Sequence, residues 1–480
     1  MGKRKKEDFI NYMGSVLQNS MLTGIPQIAS AANAPKKILR ALVFIFCLVG
    51  FIYQSMVFMN VYWEYRTVID IQVENPKRAE MPAITMCTNN GIKTSKVCSD
   101  PKFSSMCNVM TAFENDEFCS CMPNFCVNGV LQNITIPYIQ VIDNFSYAEH
   151  EEYQPYLMPM YEVMILCYDD FREFAEIEKD CEIKHYQNIR CPTDDHNVLH
   201  ACYTIHTLID LPDGEAEEVS TQATETIVLD SIPSEYNLKL KESELQISIH
   251  HSKNILNPYV YGHSLKKGHT NMFRLTKSVK RLLPPPYETN CKDYLTEWKN
   301  RGGRGPTNEK ECIEECQRNS SMEVLGCVVQ MLRGPTNERL CRRYTSDERV
   351  LEKAHECSVK HCKPACYEVT YEATKDVSNF DTIGNCYDVF GDTFNSIAKI
   401  VVKLDGLPTT TYIYSPKYQN IEAFSYVGGY VGMWLGISLV AVFDFLETLV
   451  VMLRYPFRRI MLQRARKRKV DQIRKFQRNT

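Results

Sequence analysis

Two long stretches of apolar residues without charge lie near opposite ends of the 480-residue chain. The first covers residues 41–63 and the second covers residues 423–443. Each holds the ~20 mostly apolar residues that a helix needs to cross a bilayer. No comparable run lies between them. The pattern therefore predicts transmembrane helices over 38–63 and 423–453, separated by a large domain over 64–422.

Between the two spans, short segments alternate apolar and polar residues, as half-buried strands do. The strand candidates are ELQISIH around Ile247, CYEVTYEA around Val369, IAKIVVKL from Ile397 and MPAITMC from Met81. Two further segments have the pattern of helices. One carries Cys312 and Cys316 four residues apart on one face, and the other ends near Cys357 and Cys362. The fold class predicted is an α+β membrane protein with a sheet and two facing helices laced by disulfides.

Basic residues concentrate at the two ends of the chain. Segment 1–37 and the tail 454–480 are both basic, whereas the loop between the spans holds 37 Lys and Arg against 53 Asp and Glu. By the positive-inside rule both termini are cytoplasmic and residues 64–422 are extracellular. The position of the basic tail beside a span favours contact with anionic membrane lipids over nucleic-acid binding.

The cysteines and glycosylation sequons agree with this topology. Of 20 cysteines, 19 lie in the loop and only Cys47 lies in a span. That density predicts an oxidising compartment and a disulfide framework. The odd number leaves either one unpaired thiol or one intermolecular bond. Three N-glycosylation sequons, at Asn133, Asn144 and Asn319, also fall in the loop.

The second span carries glycines at every fourth position, Gly428, Gly432 and Gly436, and acidic residues at its inner end. One interpretation is a small-residue face that lets helices approach closely. The other is a pore. In a continuous helix Gly436 and Glu447 lie within about 20° of each other around the axis, and carboxylates inside a span usually face a bundle interior or water. A ring of such groups attracts cations, although Asp444 and Glu447 could also lie at the inner interface.

Several motifs occur in one order along almost the whole chain. LGIS (Leu435–Ser438) contains a G-x-S triplet, MPAITMCTNN follows the first span, PPPYETNC precedes the cysteine-rich helices, and the acidic pair follows the triplet. In these motifs the chain resembles the degenerin/epithelial sodium channel family, which includes the acid-sensing channels, and it is similar to invertebrate-type members.

The resemblance implies a hand-shaped extracellular domain with a β-sheet palm and a helical thumb and finger. It implies a homotrimer or heterotrimer in the plasma membrane that carries a sodium-selective, amiloride-sensitive current, with permeant Na⁺ and no cofactor. The filter would be Gly436, Ile437 and Ser438. The gate and pore lining would comprise Ser425, Gly428, Gly429, Gly432, Asp444 and Glu447.

The resemblance also assigns roles outside the pore. Tyr65 and Tyr287 would couple the first span to the extracellular domain, and Thr23-Gly24 stands at the family's cytoplasmic His-Gly gating motif. The disulfide cysteines implied are Cys87, Cys202, Cys291, Cys312, Cys316, Cys327, Cys341, Cys357, Cys362 and Cys366, without a pairing.

The chain departs from acid-sensing members at the positions tied to proton sensing. The His-His pair of those members falls on Arg66 and Thr67, which do not titrate near neutral pH. Arginines 339, 342 and 343 stand where those members carry carboxylates, and Tyr426 replaces an outer carboxylate of some relatives. An extracellular ligand or mechanical force is therefore favoured over protons as the stimulus.

Three alternatives compete with a sodium channel. An enzyme is disfavoured because His196, His200, His206 and the pair His250-His251 match no metal-binding pattern, and no phosphate loop or nucleophile elbow is present. A two-span glycosylated scavenger or lipid-transfer receptor would use its spans as plain anchors, without a glycine ladder and inner acids. An ATP-gated trimeric channel would need clustered Lys and Arg in the extracellular loop.

Overall fold

The computed structural model divides the chain into two compact units, residues 1–67 with 416–480, and residues 68–415. The residues that the structure describes are 34–88, 91–111, 126–128, 130–131, 135–139, 154–170, 178–180, 186–191, 200–209, 211–230, 235, 245–256, 258–329, 338–339, 341, 347–379, 386–387, 393–394, 397–438, 440–441, 443, 446–447, 450 and 461.

Within these residues the helices are α1 (Ala34–Trp63), α2 (Thr94–Ser99), α3 (Met160–Val163), α4 (Pro258–Tyr261), α5 (Tyr294–Asn300), α6 (Glu309–Leu325), α7 (Glu348–His361) and α8 (Asn420–Leu435). The strands are β1 (Thr67–Glu74), β2 (Arg78–Glu80), β3 (Ala83–Thr88), β4 (Cys107–Thr111), β5 (Cys126–Val127), β6 (Val130–Leu131), β7 (Thr135–Ile139), β8 (Met164–Asp170), β9 (Glu178–Asp180), β10 (Tyr186–Cys191), β11 (His200–Ile205), β12 (Glu218–Ser220), β13 (Thr224–Asp230), β14 (Leu245–His250), β15 (His263–Ser264), β16 (His269–Arg281), β17 (Tyr367–Asn379), β18 (Cys386–Tyr387), β19 (Thr393–Phe394), β20 (Ile397–Lys403) and β21 (Thr409–Pro416).

The first unit is built on α1 and α8. Helix α1 has 30 residues, and it is the helix among the described residues that is long and apolar enough to cross a membrane. Helix α8 begins at a capping box in which Gln419 and Glu422 satisfy each other's backbone amides. It ends after 16 residues because Gly436 adopts a left-handed conformation with φ 59°. At 1.5 Å per residue α8 is about 24 Å long, which is shorter than the hydrocarbon core.

The second unit contains a large sheet of eight strands in the order β1-β21-β16-β20-β13-β8-β9, with β17 paired to the other side of β16. Its longest strands are β16 and β17, which pair antiparallel over 13 residues. Strand β16 also pairs parallel with β20 along one half and with β21 along the other. Residues far apart in the sequence, such as Thr270 and Lys399, therefore meet in the centre of this sheet.

A second sheet has the order β10-β11-β3-β14-β15. The core lies between residues of the two sheets, and it includes Ile84, Ile205, Ile247, Phe273 and Ile400, all fully or almost fully buried. The four segments predicted as strands from their alternation are confirmed as β3, β14, β17 and β20.

The prediction that β14 is half-buried is wrong, because this strand is covered on both faces. Its polar residues Ser248 and His250 are as buried as its aliphatic residues. Hydrogen bonds replace water for both: Ser248 Oγ donates to Leu256 O over 3.2 Å, and His250 Nε2 lies 2.7 Å from Thr85 Oγ1. A pattern of alternating residues cannot distinguish a polar residue facing solvent from one with buried partners.

The two facing helices predicted from the cysteine spacing are confirmed as α6 and α7. They run antiparallel, since Cys312 at the start of α6 bonds Cys362 just after α7, and Cys316 bonds Cys357 one turn further along. Asn308 caps the start of α6 and Asp347 caps α7, each with a side-chain oxygen that accepts a backbone N–H. The disulfide Cys291–Cys366 ties this helical part to the segment that follows β16.

Candidate functional site

An aromatic cluster holds α1 and α8 together near the start of α8. Phe58 is the one buried residue of α1, at 9% exposure. Its ring contacts those of Tyr426 and Tyr430 on α8, with centroids 4.9 and 6.2 Å away, and that of Tyr418 at 5.5 Å. One turn along α1, the Tyr62 hydroxyl donates to Asn420 Oδ1 over 2.6 Å.

Further along the pair, Trp434 of α8 lies against α1. Its indole Nε1 donates to Gln54 Oε1 over 2.7 Å, which gives a polar group in an apolar span its partner. Gly50 lies directly beneath this ring, and a Cβ atom placed on Gly50 would come within 2.7 Å of it. The glycine that permits close approach of the two helices is therefore on α1.

The glycine ladder of α8 faces away from these contacts. A Cβ atom added to Gly428, Gly429 or Gly432 would meet no atom of the described residues within 4 Å. The ladder therefore takes no part in the contact between α1 and α8, and its role as a packing face for other helices stays a prediction. Its positions leave an open surface on α8.

A groove of about 570 Å³ lies beside this surface, within the first unit. It is lined by Gln54, Ile421, Glu422, Ser425, Tyr426, Gly429, Tyr430 and Met433. The Ser425 hydroxyl donates to Ile421 O over 2.9 Å, so its hydrogen is used inside the helix. Tyr426 lines the groove with a ring that also packs on Phe58.

The G-x-S triplet coincides with an interruption of helix. Gly436 donates its N–H to Gly432 O over 3.0 Å and closes the last turn of α8, while Ile437 and Ser438 are outside any helix. Helical residues resume at Val440, and Ser438 Oγ accepts the N–H of Ala441 over 3.2 Å in the manner of a helix N-cap. Glycine tolerates the positive φ at the first position, and serine favours the cap at the third.

This interruption corrects one expectation. The placement of Gly436 and Glu447 on a common face assumed a continuous helix, and the structure breaks the helix between them. Glu447 is helical and exposed, whereas Asp444 lies outside the described residues.

The remaining positions named from the sequence are distributed over both units. Tyr65 forms the turn after α1 with φ 50°, and Tyr287 lies in the turn that follows Pro284, in the other unit. Thr23 and Gly24 lie outside the described residues, as do Arg342 and Arg343. Arg66 pairs with Glu64 at 2.6 Å, and Arg339 is exposed.

All ten cysteines named from the resemblance lie in disulfides of the second unit. The pairs are Cys87–Cys202, Cys291–Cys366, Cys312–Cys362, Cys316–Cys357 and Cys327–Cys341. Cys47 of α1 is the free cysteine in the described part of the chain. Among the sequons, Asn319 is exposed on α6, and Asn133 and Asn144 lie outside the described residues.

The histidines are dispersed. In the second unit His250 is buried and His251 is half-buried, and desolvation lowers the pKa of each to about 4. His206 lies 2.9 Å from Glu225, His200 begins β11, and His196 lies outside the described residues. Over the ranges that the structure describes, no three His, Cys, Asp or Glu side chains are grouped to hold a metal ion.

Sequence reasoning missed the residues that join α1 to α8, namely Gly50, Gln54, Phe58 and Trp434. Gly50 and Gln54 are interruptions of an otherwise apolar run, four residues apart, and could have indicated a contact face on α1. The partner Trp434 has no comparable signal, because any aromatic residue suits a span.

Comparisons with known proteins cover most of the chain. The sequence profile of the family described as amiloride-sensitive sodium channel matches residues 16–448. Degenerin-like protein asic-2 of Caenorhabditis elegans is 20% identical over 93% of this chain and 86% of its own length. Degenerin deg-1 of the same organism is 23% identical over 47% of this chain, and the matched part spans only 32% of that relative. A cryo-EM structure of a proton-activated chloride channel covers 86% of the chain with 5% identity and a TM-score of 0.29, which is too low for comparison of folds.

Proposed function

This chain belongs to the amiloride-sensitive sodium channel family, and on that premise we propose that it forms a sodium-selective, amiloride-sensitive channel of the plasma membrane. The channel is a homotrimer, or a heterotrimer with related subunits. An extracellular ligand or mechanical force opens it, in preference to protons. Membership of this family supports the broader part of the proposal, a cation channel of the degenerin type.

The proposed topology places residues 1–37 and 454–480 in the cytoplasm and residues 64–422 outside, with spans over 38–63 and 423–453. The length and hydropathy of α1 support the first span. The disulfides of the second unit support an oxidising environment for the loop. The basic ends support the orientation.

The observation that carries the proposal is the interruption at Gly436-Ile437-Ser438. A span that served only as an anchor would gain nothing from a break in an apolar run, since each residue removed from a helix loses a backbone hydrogen bond. Short non-helical segments that present backbone and small polar side chains are, in contrast, how channels build filters. We propose that three copies of this triplet surround the ion.

The open surface of α8 supports the assignment of the pore lining. Gly428, Gly429 and Gly432 have free space above them in the single chain, which leaves room for the same helix of a second and third subunit. Ser425 is one turn closer to the outside and lines the groove. Asp444 and Glu447 would keep the inner end attractive to cations.

The proposed gating route runs from the extracellular domain to the pore. The stimulus would move the disulfide-bonded helices and the large sheet, and the Tyr65–Tyr287 pair would pass this movement to α1. The cluster around Phe58 joins α1 to α8, so a displacement of α1 would reach the pore helix. Thr23-Gly24 would set open probability from the cytoplasmic side.

The experiment is voltage clamp of cells that express the wild-type chain or Ser425→Val, with sodium or potassium outside and with amiloride added. Valine adds a branched side chain beside the groove, where we expect a small residue to be needed for closure. The expected result is a standing, sodium-preferring, amiloride-blocked current in Ser425→Val. Ser425→Ala, which adds no volume, is the matched control and should leave the channel closed.

Two results would count against the proposal. Ser425→Val at the cell surface without current, alone and with related subunits, would favour the anchored receptor. A current that does not distinguish sodium from potassium would retain the channel but remove the selectivity assigned to the triplet. Surface biotinylation in the same cells separates a silent channel from one that is not delivered.

A further inference from the structure

The glycosylation sequon Asn319-Ser320-Ser321 lies inside helix α6. Such sites usually lie in surface loops. Asn319 is exposed, whereas Ser321 is completely buried, at 0% exposure. The Ser321 hydroxyl donates to Cys327 O over 2.7 Å and accepts the N–H of Val329 over 3.1 Å. The hydroxyl that defines the sequon is therefore enclosed and bonded in the folded chain.

Helix geometry separates the two groups that the glycosyl transferase must recognise together. Residues two apart in an α-helix point about 200° away from each other around the axis. Asn319 accordingly faces outward, and Ser321 faces the segment that carries Cys327. A single binding site cannot hold both side chains while α6 is helical, so the folded chain is not an acceptor.

We propose that Asn319 is glycosylated only before α6 folds, and that its occupancy is decided by competition between sugar transfer and formation of the α6–α7 pair. In the transfer, Asn319 Nδ2 forms a bond to the anomeric carbon of a lipid-diphosphate-linked oligosaccharide. The bond from that carbon to the diphosphate oxygen breaks, the lipid diphosphate leaves with the electron pair, and the amide loses one proton to solvent. The proposal rests on the topology above, which places this segment in the lumen during synthesis.

The order of synthesis leaves time for this competition. Helix α6 has 17 residues and buries only Cys312, Cys316, Ser320 and Ser321, so it has little apolar surface to stabilise it alone. Isolated helices of this length are marginal in water. Its partner α7 ends at His361, 40 residues after Ser321. At about 5–20 residues per second, that segment follows about 2–8 s later.

The exposure of Asn319 makes either outcome compatible with the final fold. A glycan attached early would project from the outer side of α6, away from Ser321. The mature protein would then be a mixture of chains with and without sugar at this position, in a ratio set by how fast the disulfides Cys312–Cys362 and Cys316–Cys357 form.

The test uses the full chain with Asn133→Gln and Asn144→Gln, so that a shift on endoglycosidase treatment reports Asn319 alone. We expect partial occupancy in this background. Adding Cys312→Ser and Cys316→Ser, which prevents both disulfides between α6 and α7, should raise occupancy toward completion. The matched control is Cys98→Ser with Cys107→Ser, which removes a disulfide elsewhere in the second unit and should leave occupancy unchanged.

Four results would overturn the inference. Glycan occupancy at Asn319 that is equal with and without the α6–α7 disulfides, whether complete or absent, would show that folding does not compete with sugar transfer. An equal rise in the Cys98/Cys107 control would assign the effect to slower folding in general. Transfer of sugar to the purified folded chain by transferase and lipid donor, at the rate seen for the reduced and unfolded chain, would show that Ser321 is accessible. A chain with Asn133 and Asn144 restored that carries no sugar at all would refute the topology, and this inference with it.

Discussion

At the scale of single residues, His250 shows how the second unit holds a titratable group without charge. Its Nδ1 donates to His251 O over 3.0 Å, and its Nε2 accepts from Thr85 Oγ1 over 2.7 Å, which in turn accepts from Thr204. This arrangement fits the neutral tautomer with the proton on Nδ1. Burial lowers the pKa of His250 to about 4.

The pH dependence of stability follows from this pKa. An unfolded histidine has a pKa near 6.5, so between about pH 6.5 and 4 the unfolded chain binds a proton that folded His250 does not. The contribution of His250 to the free energy of unfolding is complete above pH 6.5 and is lost as the pH falls toward 4. We expect this loss to be about 3 kcal/mol. Melting of the detergent-solubilised chain should show a falling melting temperature over that range.

A substitution isolates the contribution of this histidine. His250→Gln retains an acceptor for Thr85 and removes the titration, so its melting temperature should change less between pH 6.5 and 4 than that of the wild type. His355→Gln, on the exposed side of α7, should retain the wild-type slope. If the melting temperature changed equally with pH in all three chains, His250 would not be the group that is protonated on unfolding.

Residue identities were easier to predict than residue partners. The cysteine content indicated a disulfide framework, but pairings such as Cys87–Cys202 depend on strand pairing between β3 and β11, which lie 115 residues apart in sequence. The contact of Trp434 with Gln54 joins positions 380 residues apart. Neither pairing has a signal in the local sequence, because the two partners come together only through tertiary packing.

At the scale of secondary-structure elements, the contact between α1 and α8 depends on one glycine. A Cβ atom at Gly50 would lie 2.7 Å from the Trp434 ring, closer than packed atoms come. Gly50→Ala should therefore force the helices apart and strain the Trp434–Gln54 hydrogen bond, at a cost of about 1–3 kcal/mol. The expected result is a lower melting temperature in detergent and less chain at the cell surface.

The matched control for Gly50→Ala is Gly432→Ala. The same atom added to Gly432 meets nothing within 4 Å, and alanine is the better helix former. The melting temperature of the isolated subunit should therefore hold or rise. A loss of stability in Gly432→Ala as large as in Gly50→Ala would place a contact on the open surface of α8.

The elements themselves were largely predictable, since hydropathy and alternation act over short distances. Helix α1, strands β3, β14, β17 and β20, and the pair α6–α7 all correspond to sequence patterns. The break after Leu435 did not follow from hydropathy, because Ile437 continues the apolar run. Only the conformational freedom of Gly436 and the capping preference of Ser438 indicate it, and glycine occurs at three other positions of the same span.

At the scale of the whole molecule, the adjacent histidines His250 and His251 of the second unit do not sense mild acid. Both remain neutral above pH 6 because their pKa values are about 4. In the first unit, Arg66 pairs with Glu64. We expect extracellular steps from pH 7.4 to 6.0 to evoke no current from the wild-type chain.

Rapid solution exchange under voltage clamp measures this response. The standing current expected from Ser425→Val provides the matched control, because it shows that channels are at the surface when the wild-type chain is silent. A transient inward current on acidification, blocked by amiloride, would contradict the prediction and assign proton sensing to groups other than these histidines.

The break between α8 and the helical residues from Val440 also decides what surrounds this part of the chain. Ile437 and Ser438 lie outside any helix, and the Ser438 hydroxyl accepts the N–H of Ala441. Non-helical backbone at membrane depth is tolerated only where protein or a water-filled cavity surrounds it. On the proposed topology, the interruption would therefore lie against protein or water and not against lipid tails.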